Sequence, residues 1–358
     1  MKIEILTYHR AHNYGAVLQC YALKSYLNSL GHSTIVVDYK PSYFHYGLFV
    51  WYKWLSINPF KMIKKIKKQC HTFHISKKRY EAFDHFINDY IAPQKVNLNK
   101  EHNDIDIFVF GSDQIWRKNG ESFDPIFWGD FCAAKHAKLI SYAASMGRSS
   151  LSDAEQYQVS SWLKNFSLIL VRENSLKDLL APLTKMKVEV VVDPTLLLSQ
   201  QQWDKIAVKP KHKRPYVLVY QVIEHPSALA IAKEAAKELG ADIIEIASKV
   251  KSIKNEHQMI FDASPCEFLG WISSASFVVT TSFHGTAFSI IYRRPFLSIK
   301  QHKSSDLRIS SILENFNLLD RFVDSNNWTW THKYLESPNP WTKFIDNSKE
   351  QLKRTIPV

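Results

Sequence analysis

The residues best suited to chemistry stand at the ends of apolar runs. In FVVTTSFHGTAFS a β-branched run stops at Thr280-Thr281, and Ser282, Phe283, His284 and Gly285 lead into a helix of small residues. A helix start offers unpaired N–H groups and partial positive charge, which suits phosphate or carboxylate. His284 adds a proton or a hydrogen bond there, and Gly285 allows a ligand close to the backbone. The segment reads as an anion site holding a titratable residue; a histidine satisfied within the core is the alternative. Lys300, ending the next strand, either brings a second positive charge to the same cleft or is a solvated strand end.

Three further segments sit in comparable places. GSDQIW follows a strand directly, so Asp113 is positioned to accept a sugar hydroxyl or its proton. Trp116 offers a flat apolar face to a sugar ring. The alternative is a turn with a capping Asp113 and a half-buried Trp116. In HNYGAVLQ, His12, Asn13, Tyr14 and Gly15 lie at a helix start, where Asn13 either caps the helix or lines the cleft. Arg172, after LILV, is placed to clamp a carboxylate or phosphate at two points, unless it pairs with the adjacent Glu173.

These segments need a scaffold of alternating strands and helices. KIEILTY, a helix stopped by Gly31 and STIVVDY form a first βαβ unit. Strands follow at DIFVF, KLISYAA, LILV and VEVVV. The polar, basic stretch from Ser199 to Pro215 reads as a linker between domains. YVLVYQV, DIIEIA, FVVTT and FLSI, with intervening helices, make a second α/β run. The expected organisation is an N-terminal α/β domain over 1–200, interrupted by an aromatic and basic insertion at about 42–90. A C-terminal α/β domain follows over 215–335, and a helix over 336–358 packs back across both. The fold class is α/β, two Rossmann-like domains facing a cleft.

The 358 residues suffice for two cores. A formal net charge of +12 favours anionic partners, but no helix-turn-helix, zinc-finger or RNA-recognition pattern accompanies it, so no nucleic-acid partner is expected. The four cysteines are dispersed, with no CxxC pair, which argues against a disulfide framework or structural zinc. No signal peptide and no run of membrane-spanning length is visible, so a cytoplasmic location is expected. In FKMIKKIKKQC, Lys61, Lys64, Lys65, Lys67 and Lys68 lie close behind VWYKWL. This stretch is either a solvated helix face or a docking surface for the anionic inner face of a membrane.

Taken together, NYGAVLQCYAL, GSDQIW, SYAASMG, VRE, DPTLLL and SFHGTAFS, in this order and spacing, resemble the polysaccharide pyruvyl transferase family. The resemblance implies a fold like the B-type glycosyltransferases. It also implies transfer of pyruvate from phosphoenolpyruvate onto two hydroxyls of a glycan as a cyclic ketal, in surface or capsular polysaccharide synthesis, with no metal or tightly held cofactor. It matches His284 to a family histidine associated with phosphoenolpyruvate and Arg172 to an arginine on the same donor side. The reading of the residues adds Ser282, Gly285 and Lys300 on the donor side and Asn13, Tyr14, Gly15, Asp113, Gln114 and Trp116 on the acceptor side, with His284 and Asp113 catalytic. The acceptor expected is a lipid-linked oligosaccharide. Some members carry an arginine two residues before the histidine, where this chain has Ser282; Lys300, Arg293, Arg294 and Arg308 are the candidates to replace it. The rival readings are a sugar-nucleotide-dependent glycosyltransferase of the same architecture and a non-catalytic glycan- or lipid-binding subunit.

Overall fold

The computed structural model describes residues 1–43, 59–250, 257–324, 328 and 339–356, with the backbone alone for 59–71 and 339–340. Among the described residues, twelve strands form two six-stranded sheets, parallel throughout. The first contains β1 (Lys2–Leu6), β2 (Ser33–Val36), β3 (Ile107–Asp113), β4 (Lys138–Ala144), β5 (Phe166–Val171) and β6 (Val188–Val190), in the order β2-β1-β3-β4-β5-β6. The second contains β7 (Tyr216–Gln221), β8 (Asp242–Ala247), β9 (Gln258–Ile260), β10 (Phe277–Thr280), β11 (Phe296–Ile299) and β12 (Phe322–Val323), in the order β12-β11-β10-β7-β8-β9. The connecting helices are α1 (Tyr14–Ser29), α2 (Pro59–Phe86), α3 (Asp153–Leu163), α4 (Asn174–Leu180), α5 (Gln200–Asp204), α6 (Pro226–Leu239), α7 (Pro265–Ser274), α8 (Phe283–Ile291), α9 (Asp306–Asn315) and α10 (Asn339–Thr355). The two-sheet α/β class expected from the sequence is the one observed.

Period-two alternation along buried parallel strands assigns each side chain to a face. In β3, Ile107 and Val109 face one core and Phe108 and Phe110 the other. In β7, Leu218 and Tyr220 face the same inner core as Ile107, while Val217 and Val219 pack outward against Ala228, Ile231, Ala232 and Ala235 of α6. The inner faces of both sheets thus share one continuous apolar core, which also takes in α1, α7, α8 and α10. Burial of this shared core holds the two halves together.

Polar links reinforce the junction. Tyr14 of α1 stacks on Phe268 of α7 at 4.3 Å between ring centroids and 6° between planes, and its hydroxyl donates to Ala263 O at 2.8 Å. Arg79 of α2 donates to Tyr14 Oη, Ala247 O, Phe261 O and Ser248 O. α10 touches both halves: Trp341 Nε1 donates to Phe316 O, and Ser348 Oγ accepts from Val192 N.

The stretch between the sheets differs from the plain linker its polarity suggests. Ser199 and Gln202 form a capping box that starts α5, and Trp203 on that turn is fully buried. Val208 N donates to Cys266 O, which ties the following residues to α7. VWYKWL lies outside the described residues. The lysines of FKMIKKIKKQC fall on α2, but their side chains also lie outside the described set. Among the described residues, no helix is long and apolar enough to cross a membrane.

Candidate functional site

A cavity of about 250 Å³ opens between the carboxyl ends of the two sheets. Asn13, Asp113 and Gln114 line it from the first sheet, and Ser282, His284 and Arg308 from the second. Ligands in open α/β folds gather at such strand ends.

β3 delivers Asp113 with a φ of +68°, a left-handed conformation that Asp tolerates better than most residues. The turn is fixed by Asp113 O, which accepts from Ser145 N and Ile115 N, and by Asp113 Oδ1, which accepts from Gln114 N at 2.9 Å. The carboxylate remains partly exposed at the cavity wall.

β10 delivers Ser282, whose side chain caps α8 by accepting from Gly285 N. His284 follows in the first turn, only 7% exposed. Two glycines shape its seat. A Cβ on Gly15 would stand 1.9 Å from His284 Nδ1, so only glycine lets α1 approach the imidazole this closely. A Cβ on Gly285 would stand 2.2 Å from Thr280 Oγ1, a hydroxyl that donates to Tyr220 O. Both glycines serve packing of protein against protein, and neither lines the cavity.

Behind this wall lies a hub that the sequence reading did not single out. Asp193, at the start of the DPT turn after β6, has a fully buried carboxylate. Its Oδ1 accepts from Thr195 N at 3.0 Å and Thr195 Oγ1 at 2.8 Å. Its Oδ2 accepts from Ser112 Oγ and Arg172 Nη1, each at 2.9 Å, and faces His284 Nε2 at 3.7 Å. Burial alone would raise the Asp193 pKa; the nearby imidazole of His284 and the charge of Arg172 hold it well below the usual carboxylate range. An Asp directly before Pro-Thr was the available signal, since such a residue accepts from the backbone two positions on.

Arg172 belongs to this hub. Its side chain is 1% exposed, with Asp113 Oδ1 at 3.7 Å from Nη2 and Glu173 Oε2 at 3.9 Å from Nε. Burial disfavours its charge, and Asp193, Asp113 and Glu173 more than offset this. Its guanidinium sits over the ring of Phe283 at 4.7 Å. Arg172 does not line the main cavity, which corrects the expectation of a direct clamp on a donor. Its principal partner is Asp193, with Glu173 a more distant one; Glu173 Oε1 accepts from Ser145 Oγ.

Three other expected contacts are also corrected. Trp116 is fully buried, stacked on Trp128 at 4.5 Å, with Nε1 donating to Phe127 O, so its face is closed to a sugar. Tyr14 is fully buried in the junction between the sheets. Lys300 pairs with Asp324 at 3.1 Å and does not line the cavity. Of the cations considered as replacements at the Ser282 position, Arg308 lines this cavity, whereas Arg293 lines a separate cavity beside α10.

The family model for polysaccharide pyruvyl transferase matches residues 13–303. No curated protein matches the sequence. Among solved structures, UDP-GlcNAc 2-epimerase from Methanocaldococcus jannaschii, in complex with UDP-GlcNAc and UDP, is similar at 13% identity, with 99% of each chain covered and a TM-score of 0.47. UDP-GlcNAc 2-epimerase from Neisseria meningitidis bound to UDP-GlcNAc is similar at 12% identity, 99% coverage of each chain and a TM-score of 0.47. The glycosyltransferase SnogD from Streptomyces nogalater is similar at 10% identity, with 99% of this chain and 95% of that chain covered and a TM-score of 0.43. The matched family segment runs from Asn13 at the first wall through Asp113, Arg172 and Asp193 to His284 at the second, and the chain belongs to the polysaccharide pyruvyl transferase family.

Proposed function

We propose that this protein transfers pyruvate from phosphoenolpyruvate to two hydroxyls of one glycan residue, forming a cyclic ketal. The observation carrying this reading is the meeting of an imidazole, a carboxylate and a guanidinium without a protein partner at one small cavity, in a chain of this family. The second-sheet side, with Ser282, His284 and Arg308, receives the donor. The first-sheet side, with Asn13, Asp113 and Gln114, receives the acceptor.

The chemistry assigns these residues distinct tasks. His284 gives a proton to the methylene carbon of the enol phosphate, leaving a cation at C2. One sugar hydroxyl attacks C2 and passes its proton to Asp113. The C2–O bond to phosphate then breaks, and inorganic phosphate leaves with both bonding electrons. The second hydroxyl attacks C2 and returns a proton to the His284 imidazole, closing the ring, while Asp113 hands the first proton to the departing phosphate. Cationic groups around the leaving oxygen stabilise the charge that gathers there. Arg172 and Asp193 act through others: Arg172 holds Asp193, and Asp193 faces the imidazole. No metal or cofactor is assigned a role. The acceptor we assign is a lipid-linked oligosaccharide at the inner face of a membrane, destined for surface polysaccharide.

The test pairs ligand protection against thermal unfolding with turnover. Phosphoenolpyruvate should raise the melting temperature and UDP-sugars should not. Incubation with phosphoenolpyruvate and a panel of aryl or lipid-linked galactosides should release phosphate and add the ketal mass to the glycan. His284→Ala should abolish transfer and keep the fold. Protection by a UDP-sugar alone would instead favour a sugar-nucleotide-dependent glycosyltransferase. Protection by glycan without turnover on any acceptor would favour a binding subunit.

A further inference from the structure

We infer that Arg308 is the phosphate-binding group of this cavity, gripping the phosphate of the donor against the start of α8. The inference rests on the reading of the cavity as a donor site but depends on different atoms from those that carry out the chemistry. Arg308 projects from the first turn of α9 and lines the cavity together with Ser282, Phe283 and His284. Its Nε is buried without a hydrogen-bond partner, and among the described residues no carboxylate forms an ion pair with it.

Several described cations near the two walls have a carboxylate partner. Arg172 is held by Asp193 at 2.9 Å, Arg10 by Asp38, Arg148 and Lys118 by Glu155, and Lys300 by Asp324. Arg117 also lines the cavity, but its side chain is exposed at the mouth. Arg308 therefore differs from these in being a half-buried guanidinium that lines the cavity, with its Nε unmatched and no carboxylate paired to it among the described residues. Burial and the positive charge of nearby Arg172 disfavour its charge by more than Asp113, Glu173 and Asp193 favour it. A cation so placed, with no anion in direct contact, is expensive until one completes it.

The neighbouring protein atoms favour a phosphate as that anion. Gly285 N is taken by the Ser282 side chain and Thr286 N by Ser282 O, and the start of α8 adds the positive end of a helix dipole to this wall. Guanidinium geometry matches two oxygens of one phosphate at once. The lining carboxylate, Asp113, comes from the opposite sheet, where a hydroxyl is to be deprotonated. This arrangement separates the anion end of the cavity from the base end.

The experiment compares wild type with Arg308→Met and Arg308→Lys, using inorganic phosphate, pyruvate and phosphoenolpyruvate as separate probes in calorimetric titration. Loss of one charge-assisted pair should weaken phosphate and phosphoenolpyruvate about 10- to 100-fold in Arg308→Met. Pyruvate affinity should stay unchanged, and Arg308→Lys should recover part of the loss. Unfolding by urea should show Arg308→Met to be no less stable than wild type, because the guanidinium has no protein partner to lose. Added methylguanidinium should restore part of the phosphoenolpyruvate affinity. Unchanged phosphate affinity in Arg308→Met would overturn the inference, as would loss of pyruvate affinity in place of phosphate affinity. If wild type binds phosphate through Arg308 but not phosphoenolpyruvate, the phosphate site stands and the pyruvyl donor reading falls. If wild type binds none of the three, the inference falls.

Discussion

Replacing Asp193 with Ala should be among the most damaging single changes in this protein, and the structure indicates by how much. The substitution removes the 2.9 Å partner of a guanidinium that is 1% exposed. At an effective dielectric near 20, that contact corresponds to a gross Coulomb attraction of about 6 kcal/mol. Asp113 at 3.7 Å and Glu173 at 3.9 Å remain and hold part of the Arg172 charge. The net loss should therefore lie at the lower end of the range for broken buried pairs, about 3 kcal/mol. Ser112 Oγ and the amide and hydroxyl of Thr195 also lose their acceptor, so relaxation will not recover the whole. The assay is urea unfolding followed by tryptophan fluorescence, with Arg172→Met and the double variant measured alongside. The double variant should be more stable than the sum of the single losses by about 1–3 kcal/mol, because removing both charges leaves no orphan. A loss below about 1 kcal/mol for Asp193→Ala, or strict additivity in the cycle, would refute the hub. The sign of the pH dependence gives a second check. The Asp193 carboxyl is held below its unfolded value of about 3.9, so its contribution is complete above that pH and is lost as the solution becomes more acidic.

Other outcomes follow from the packing around the cavity. Gly15→Ala should push the imidazole of His284 out of its seat and cut turnover sharply while costing about 1–3 kcal/mol in stability; phosphate-release kinetics and a melting curve read the two effects separately. Trp116→Ala should cost about 3–5 kcal/mol by emptying a stacked core site, with the KM for glycan unchanged in whatever protein remains folded. His12 has its pKa lowered to about 4 by burial and by the charge of Arg79. The unfolded chain therefore takes up its proton first, and stability should fall as pH drops from about 6.5 toward 4, by no more than about 3 kcal/mol. His12→Gln should flatten that segment of the stability–pH curve measured by urea titration.

The parts of this protein visible in its sequence are those dictated by short-range pattern. Continuous apolar runs announced most of the strands, because a parallel strand buried on both faces must be apolar at nearly every position. The SFHG junction announced the imidazole, since a strand stop followed by helix-forming small residues fixes where the side chain emerges. The short strands β9 and β12 escaped notice because three or two residues carry no period. Relations between distant segments were also hidden. Nothing local to Gly15 foretells contact with His284, and nothing local to Arg308 shows that it lacks a partner. Trp116 illustrates a further limit: a tryptophan after a strand suits a sugar face or a stack of indoles equally well, and only the position of Trp128 decides. Ser199 followed by Gln202 did spell out a helix start, but the surrounding lysines and prolines masked it.

Arg79 has a mechanical consequence. One side chain, anchored on a helix of the first half, grips three main-chain oxygens of the second half as well as the Tyr14 hydroxyl. Hinge-like gaping of the two halves would have to break this rivet and shear α10 at the same time. Entry to the cavity would then depend on side chains and loops at its rim, with the spacing of the two halves already set.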